Sequence, residues 1–310
     1  MPQAAKEGKK APITVTRDVA PPRKAPPAEA PAFATASRAA SASACRSSTF
    51  SELASTLVRC GGVQATRIVA AGAAEDLHQF RVTMRRLRAL WWTYRPLLDR
   101  RQYARHRALF KGLGDIAGQV RNYDVLSSLL ACVAHDAPLP ENIARERALA
   151  LAHAKTTMAR REVMRDLANT SAQAVQSLRP LPKCAQSEDA FVSLRIAVAR
   201  KNMKREAKSA GHAPGRSRLE QLHELRKRGK TVRYLLELFE HGNAADKRHL
   251  KQLGRLQESL GKLNDVVASE ALLRSRPGLL GGRMDAAKLR KRLRSLRKRH
   301  LRAAMALIRA

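Results

Sequence analysis

Three observations predict an all-α fold: a helical apolar period from Phe50 onward, a near absence of strand signals, and an internal duplication. Leu77, Phe80, Met84, Leu87 and Trp91 recur at three- and four-residue steps, the spacing of one helix face. β-Branched runs are few, and no Asn-Gly turn joins two alternating segments. The duplication is direct. The segment from His78 through Arg81 and Arg85 to Arg88 returns as His223, Arg226, Lys230 and Arg233, both reading His-x2-Arg-x3-(Arg/Lys)-x2-Arg.

Taken in order, the pattern predicts helices over about 48–70, 75–98, 101–117, 121–136, 140–168, 187–209, 217–241, 245–260, 264–275 and 284–308. Gly72 punctuates the chain before the first basic helix, and Pro138 and Pro140 stand before the fifth helix. Gly211 to Gly215 precede the second basic helix, and Gly242 and the Pro277 to Gly282 stretch mark later ends. The repeat continues past the basic helices, with Phe110, Leu113, Ala117 and Gly118 matching Leu253, Leu256, Leu260 and Gly261. Its offset there is two residues shorter, which implies a shorter loop in the second copy. After each matched glycine a polar turn is expected to lead into a new helix.

Residues 1–46 are rich in Pro, Ala, Ser and Lys without a period. Such a segment buries too little apolar surface to offset its ordering entropy, so a disordered tail is expected. Glu7, Asp18, Glu29 and the prolines count against a transit peptide, and there is no apolar core for a secretory signal. Residues 47–310 then form one domain of two helical halves, about 47–180 and 181–310, joined near Pro180 and Pro182. Duplicated helical halves normally pack about a pseudo-twofold axis, which would turn both basic strips toward a shared surface.

Charge narrows the function. Sixty Lys and Arg stand against 26 Asp and Glu, for a formal net charge of +34. A compact chain with that charge repels itself unless an anion covers it, so nucleic acid, an anionic membrane surface and an inorganic polyanion are the candidate partners. Aromatic residues make up only 4%, too few for the stacking platforms of single-strand readers. No apolar run is long enough for a transmembrane helix. Cys45, Cys60, Cys132 and Cys184 lie far apart, which supports neither a zinc site nor a disulfide framework and fits reduced thiols in the cytoplasm.

Catalytic motifs are missing. His223-Glu224 opens a zincin-like pattern, but Lys227 stands where a second histidine is needed. Gly261-Lys262 lacks the preceding glycine-rich loop of a P-loop, and no Gly-x-Ser-x-Gly elbow occurs. Carboxylates are scattered, so no metal site, cofactor or catalytic residue is assigned. The reading is of a non-enzyme.

Helical geometry sets the strips. His78, Arg81, Arg85 and Arg88 fall within an arc of about 80°, next to the apolar arc rather than opposite it. Leu222, Leu225, Gly229, Val232 and Leu236 give the second copy the same adjoining seam. Each strip spans about 15 Å of helix axis, which suits a chain of phosphates better than one small anion. Arginine forks bind phosphate oxygens in pairs. The guanidinium groups should depress the His78 pKa until an anion arrives. Gly229 is expected at a close helix crossing, Trp91, Trp92, Tyr94 and Phe239 in the core, and the C-terminal helix as either a second polyanion contact or a solvated face.

These residues resemble the CHAD domain, the conserved histidine α-helical domain. Leu77-His78 through Arg88 is similar to its first signature helix, and Ala117-Gly118 through Arg121, Asn122 and Asp124 to the Leu-Gly-x2-Arg-Asp-x-Asp-Val segment after it. Leu222-His223 through Tyr234, and Leu256 through Asp265, are similar to the second half. The resemblance implies two four-helix bundles related by pseudo-twofold symmetry around a basic channel that binds inorganic polyphosphate. It implies as ligands His78, Arg81, Arg85, Arg88, His223, Arg226, Lys230 and Arg233, with Lys111 and Arg255 as weaker members. Binding of that kind would bring the protein to polyphosphate-rich granules. Ala117 replaces the family's Leu and Asn122 its Asp, whereas Asp265 keeps the acid in the second half, so an acid that orients a channel arginine is present only there. Members are often fused to a CYTH triphosphatase, whose Glu-x-Glu-x-Lys motif does not occur here, which favours a stand-alone binding module. The alternatives are a histone-like nucleic-acid binder and a metal-dependent phosphohydrolase.

Overall fold

A computed structural model describes residues 48–134, 140–182, 185–239, 244–281 and 286–309. The expected disordered tail, the Gly242 break and Pro138 lie outside them, as does most of the loop expected to be shorter in the second copy. The described elements are α1 (Ser48–Ala70), α2 (Ala74–Tyr94), α3 (Arg100–Ala134), α4 (Glu141–Ala159), α5 (Arg161–Gln176), α6 (Glu188–His212), α7 (Gly215–Leu238), α8 (Ala244–Ser275), a 3-10 turn at Pro277–Leu280, and α9 (Ala286–Arg309). No strand occurs among the described residues, and none of their helices is long and apolar enough to cross a membrane.

The helices close into two rings. In the first, α1 packs on α2, α2 on α3, α3 on α4, and both α4 and α5 return to α1. In the second, α6 packs on α7, α7 on α8, α8 on α9, and α9 returns to α6. The rings meet where α2 lies on α7 and α3 on α8, so the two basic helices touch each other. The apolar seams make this arrangement. Leu77, Phe80, Met84, Leu87 and Trp91 are all buried, and so are Leu222, Leu225, Val232 and Leu236. Burying side chains of this size stabilises the fold by about 1.5–3 kcal/mol each.

Three divisions between helices differ from the sequence expectation, and the helix expected to end at about 168 runs on to Gln176. The segments 101–117 and 121–136 are one helix, α3, and the segments 245–260 and 264–275 are one helix, α8. Gly118 and Gly261 therefore lie inside helices instead of ending them. Conversely, the expected helix 140–168 breaks at Arg160, whose backbone is extended (φ −71°, ψ 119°). The fourth member of the first ring is thus two shorter helices. Gly72 does end α1, at φ +69°, where an added Cβ would lie 2.9 Å from Leu151 and Lys155.

The aromatic residues behave as core. Trp91 and Tyr94 are sealed with Phe50, and Trp91 Nε1 donates to His106 Nδ1 at 3.2 Å. His106 Nε2 donates in turn to Gln173 Oε1 at 3.0 Å, which holds the ring as a neutral tautomer. Burial lowers its pKa, opposed by the bond to Gln173. Phe239 and Trp92 pack partly buried on the core.

Arg195 of α6 joins the rings at the end of α2. Its Nε and Nη2 donate to the carbonyls of Thr93 and Trp92, both at 3.0 Å, while its guanidinium lies 4.3 Å over the Trp92 ring. Carbonyls in a last helical turn have no partner within the helix, so this side chain acts as a cap supplied from the other ring. A second tie lies at the opposite end, where Arg276 bonds Tyr123 (2.8 Å) and Glu146, and Asn142 donates to Gly278 O at 2.8 Å.

Candidate functional site

The α2–α7 contact brings the two strips together. Arg81 acts electrostatically on Arg226 across the contact, and Arg85 acts on both Arg226 and Lys230. All four are partly buried, next to the apolar seams that fix their helices. The phase predicted from sequence therefore holds: the cations flank the core and face the partner helix.

Their shortage of counter-charge distinguishes them. Several partly buried arginines elsewhere have acids or carbonyls: Arg147 bonds Asp124 at 2.6 Å, Arg297 bonds Glu270 at 2.6 Å, and Arg218 donates to Ala213 O at 2.7 Å, although Arg228 on α7 also keeps a buried Nε without a partner. Arg81, Arg85, Arg88, Arg226 and Lys230 make no ion pair or hydrogen bond to a described residue. The Nε atoms of Arg81, Arg88 and Arg226 are buried without a partner, at equivalent positions for Arg81 and Arg226. An unpaired donor removed from water costs about 1–3 kcal/mol, and more when charged. The site holds concentrated positive charge, and Asp265 is the acid that acts on Arg226 and Lys230 there without bonding either.

The titrations follow from this. Burial lowers the Arg81 pKa to about 10, with Arg85, Arg121 and Arg226 adding to the shift. Burial and then Arg85, Arg226 and Arg81 bring Lys230 down to about 6, opposed by Asp265. Arg226 and Arg88 are also lowered, first by burial. His78 reaches solvent at its edge, yet burial lowers its pKa, with Arg121, Arg81 and Arg85 reinforcing and Glu75 opposing.

The two copies are not identical. His223 Nδ1 bonds Asn264 Oδ1 at 2.9 Å, whereas the residue matching Asn264 in the first copy is Arg121, a cation beside His78. Asp265 supports the charge on both Arg226 and Lys230, while its counterpart Asn122 is neutral and exposed. Arg233 is exposed and bonds Glu237 at 2.5 Å, unlike its counterpart Arg88. Glu237 also pairs with Arg86 at 3.2 Å, tying α2 to α7 just beside the strips.

Lys111 and Arg255 are exposed on α3 and α8, and neither is among the charges that act on Arg81, Arg226 or Lys230. Lys111 bonds Asp115 at 2.8 Å, and that acid acts on Arg88. Gly118 is the residue that sequence reasoning placed wrongly. An added Cβ there would lie 3.4 Å from Arg81 Nε and Nη2, so the bare backbone of α3 is the floor on which the guanidinium lies. No such neighbour faces Gly261, and nothing in the structure explains it. Gly229 is not at a tight crossing either, because an added Cβ would meet Gln257 and Met203 only at an ordinary 3.8 Å.

Among the described residues, no three His, Cys, Asp or Glu side chains gather as a metal-binding group. What the arrangement can do is hold anionic oxygens along two convergent rows. The sequence matches the family model of the CHAD domain over residues 63–274, a span containing both strips. Two solved structures are similar. One is the crystal structure of the CHAD domain from the plant Ricinus communis, 21% identical with a TM-score of 0.62, covering 86% of this chain and 92% of that one. The other is PptA from Streptomyces chartreusis, 15% identical with a TM-score of 0.56, covering 83% of this chain and 95% of that one. A search of curated proteins found no match.

Proposed function

The chain belongs to the CHAD domain family, and on that footing we propose that it binds inorganic polyphosphate between α2 and α7 without catalysing its breakdown. The observation that carries this reading is the unpaired row formed by Arg81, Arg85, Arg226 and Lys230, partly buried where two helices meet, whereas Arg147 and Arg297 are matched by acids. Phosphate oxygens at each step of a linear polymer supply the missing acceptors, and arginine forks take them in pairs. His78, His223 and Arg88 extend the row along its helices, with Arg233, Lys111 and Arg255 at its exposed margin.

In this reading the two rings are duplicated halves, about 47–180 and 181–310, related by a pseudo-twofold axis. Packing of α2 on its repeat α7, and of α3 on its repeat α8, supports that symmetry. The protein acts as a binder in the cytoplasm, brought to polyphosphate-rich granules by the polymer itself.

Duplex nucleic acid is the competing polyanion, and it would use the exposed cations of α9 as readily as the seam. Paired substitutions separate the two readings. Arg81→Ala with Arg226→Ala should weaken polyphosphate binding by about a hundredfold, because a hydrogen bond to a charged group is worth about 1.5–3 kcal/mol. Arg294→Ala with Arg302→Ala, on the exposed face of α9, removes the same charge and should weaken it only a few-fold. Equal losses would mean that general charge does the binding.

A further inference from the structure

The two strips match charge for charge along α2 and α7, yet their histidine ends differ. An added Cβ at Gly114 would lie 3.4 Å from Met84, and one at Gly118 would lie 3.4 Å from Arg81 Nε and Nη2. Each step forward along α3 is therefore a step back along α2, and one further turn sets Arg121 opposite His78. The repeat shows that register by direct contact, since Asn264, the match of Arg121, bonds His223 at 2.9 Å. Arg121 and His78 are both exposed, and Arg121 makes no ion pair or hydrogen bond to a described residue. Arg121, Arg81 and Arg85 all act electrostatically on His78.

The facing helices make the two ends unequal. Arg121 stands where the second copy has Asn264, and Asn122 stands where it has Asp265, and each exchange leaves the first copy more positive. Glu75 opposes the cations at His78, but Glu220 holds the matching place in the second copy, and Glu75 also accepts a bond from Gln79 Nε2. A linear polyphosphate is uneven in the same sense. An internal unit shares two of its oxygens with neighbours and carries one charge. A terminal unit shares one and has a further oxygen, which ionises near pH 6 by analogy with the second proton of a phosphorylated side chain, about 6.

We propose that the His78 end of the row seats the terminal phosphate of a polyphosphate chain, and that Arg121 is the residue that selects it. This rests on polyphosphate binding between α2 and α7: the chain is gripped by one end, and its later units run along Arg81, Arg85, Arg226 and Lys230. The Arg121 fork offers paired donors to the extra terminal oxygens, and His78 adds a donor beside it. At the His223 end Asp265 repels a second charge, and Asn264 is already engaged with the histidine. The two ends of the protein are not interchangeable.

The test compares one linear polyphosphate, long enough to span both strips, with the same polymer blocked at both ends as phosphoramidates of ethanolamine. Blocking removes the second charge of each terminal unit and leaves the internal units intact. Titrated against the full chain near pH 8 at fixed salt, the blocked polymer should bind about tenfold more weakly, the loss of roughly one charge-assisted bond. Arg121→Asn, which copies the second half, should bind both polymers alike, at the level of the blocked one. Arg294→Asn on α9 removes the same charge and should keep the tenfold difference. Equal affinity of the wild-type chain for both polymers, or a difference that survives Arg121→Asn, would overturn the end seat and leave polyphosphate binding in place. Binding of neither polymer would overturn both.

Discussion

Arg81 shows how one side chain depends on a missing one. Its guanidinium lies on the α3 backbone at Gly118, which accepts a glycine mid-helix at about 1 kcal/mol relative to alanine. Gly118→Ala adds a methyl at ordinary contact distance and should be stability-neutral or slightly stabilising. Gly118→Leu should displace Arg81 and lower polyphosphate affinity about tenfold with helical content unchanged by circular dichroism; unchanged affinity would remove Gly118 from the site. The motif around Gly118 was legible in the sequence, but its role was not. A glycine that ends a helix and one that floors a guanidinium look alike until the facing helix is placed.

Lys230 gives a pH prediction with a definite sign. Its pKa of about 6 lies below the unfolded lysine value near 10.4, so between those limits the unfolded chain binds the extra proton. The free protein therefore loses stability from this group as pH falls from about 10 toward 6. A bound polyanion raises the pKa, so the complex takes up a proton near pH 7.5 and affinity weakens as pH rises. Calorimetric titrations in two buffers of different ionisation enthalpy should show that uptake in the wild-type chain and a smaller one in Lys230→Met. Equal uptake in both would contradict this account.

At the scale of elements, the strongest sequence signals were those carried by packing. Helix α1 matches its expected range, and both basic helices bury the apolar arcs that their spacing indicated. The errors lie where local chemistry and tertiary packing disagree. Gly118-Gln-Val-Arg121-Asn122 reads locally as a turn, yet Val120, Tyr123 and Leu126 are buried and hold α3 continuous. No glycine or proline announces the break at Arg160. The cap that Arg195 provides for α2 was also illegible, since it pairs residues from different rings. Arg195→Ala should cost about 1–3 kcal/mol in urea unfolding, through the two lost carbonyl bonds. Arg195→Lys should recover little, because one ammonium cannot reproduce the fork and the stacking over Trp92.

At the scale of the whole molecule, charge sets a trade between stability and binding. A net charge of +34, part of it unpaired between two helices, works against the compact state until an anion arrives. Lys230→Met should raise the free protein's Tm near pH 7 while lowering its polyphosphate affinity, and polyphosphate should raise the Tm of the wild-type chain by ordinary linkage. A Tm unmoved by saturating polyphosphate would show that the folded state does not bind it. The duplication makes sense on the same scale, since two helices of one strip each supply a row that neither supplies alone.

The most direct test of that row is a competition titration. Polyphosphates of graded length would be bound to the full chain at fixed salt, with triphosphate and duplex DNA as competitors at equal phosphate concentration. Fixed salt matters because every polyanion complex weakens as counter-ions compete. The account predicts affinity that climbs until the polymer spans the strip, about 15 Å, with neither competitor displacing the long chain. Displacement by duplex DNA at equal phosphate, or affinity indifferent to length beyond triphosphate, would contradict it.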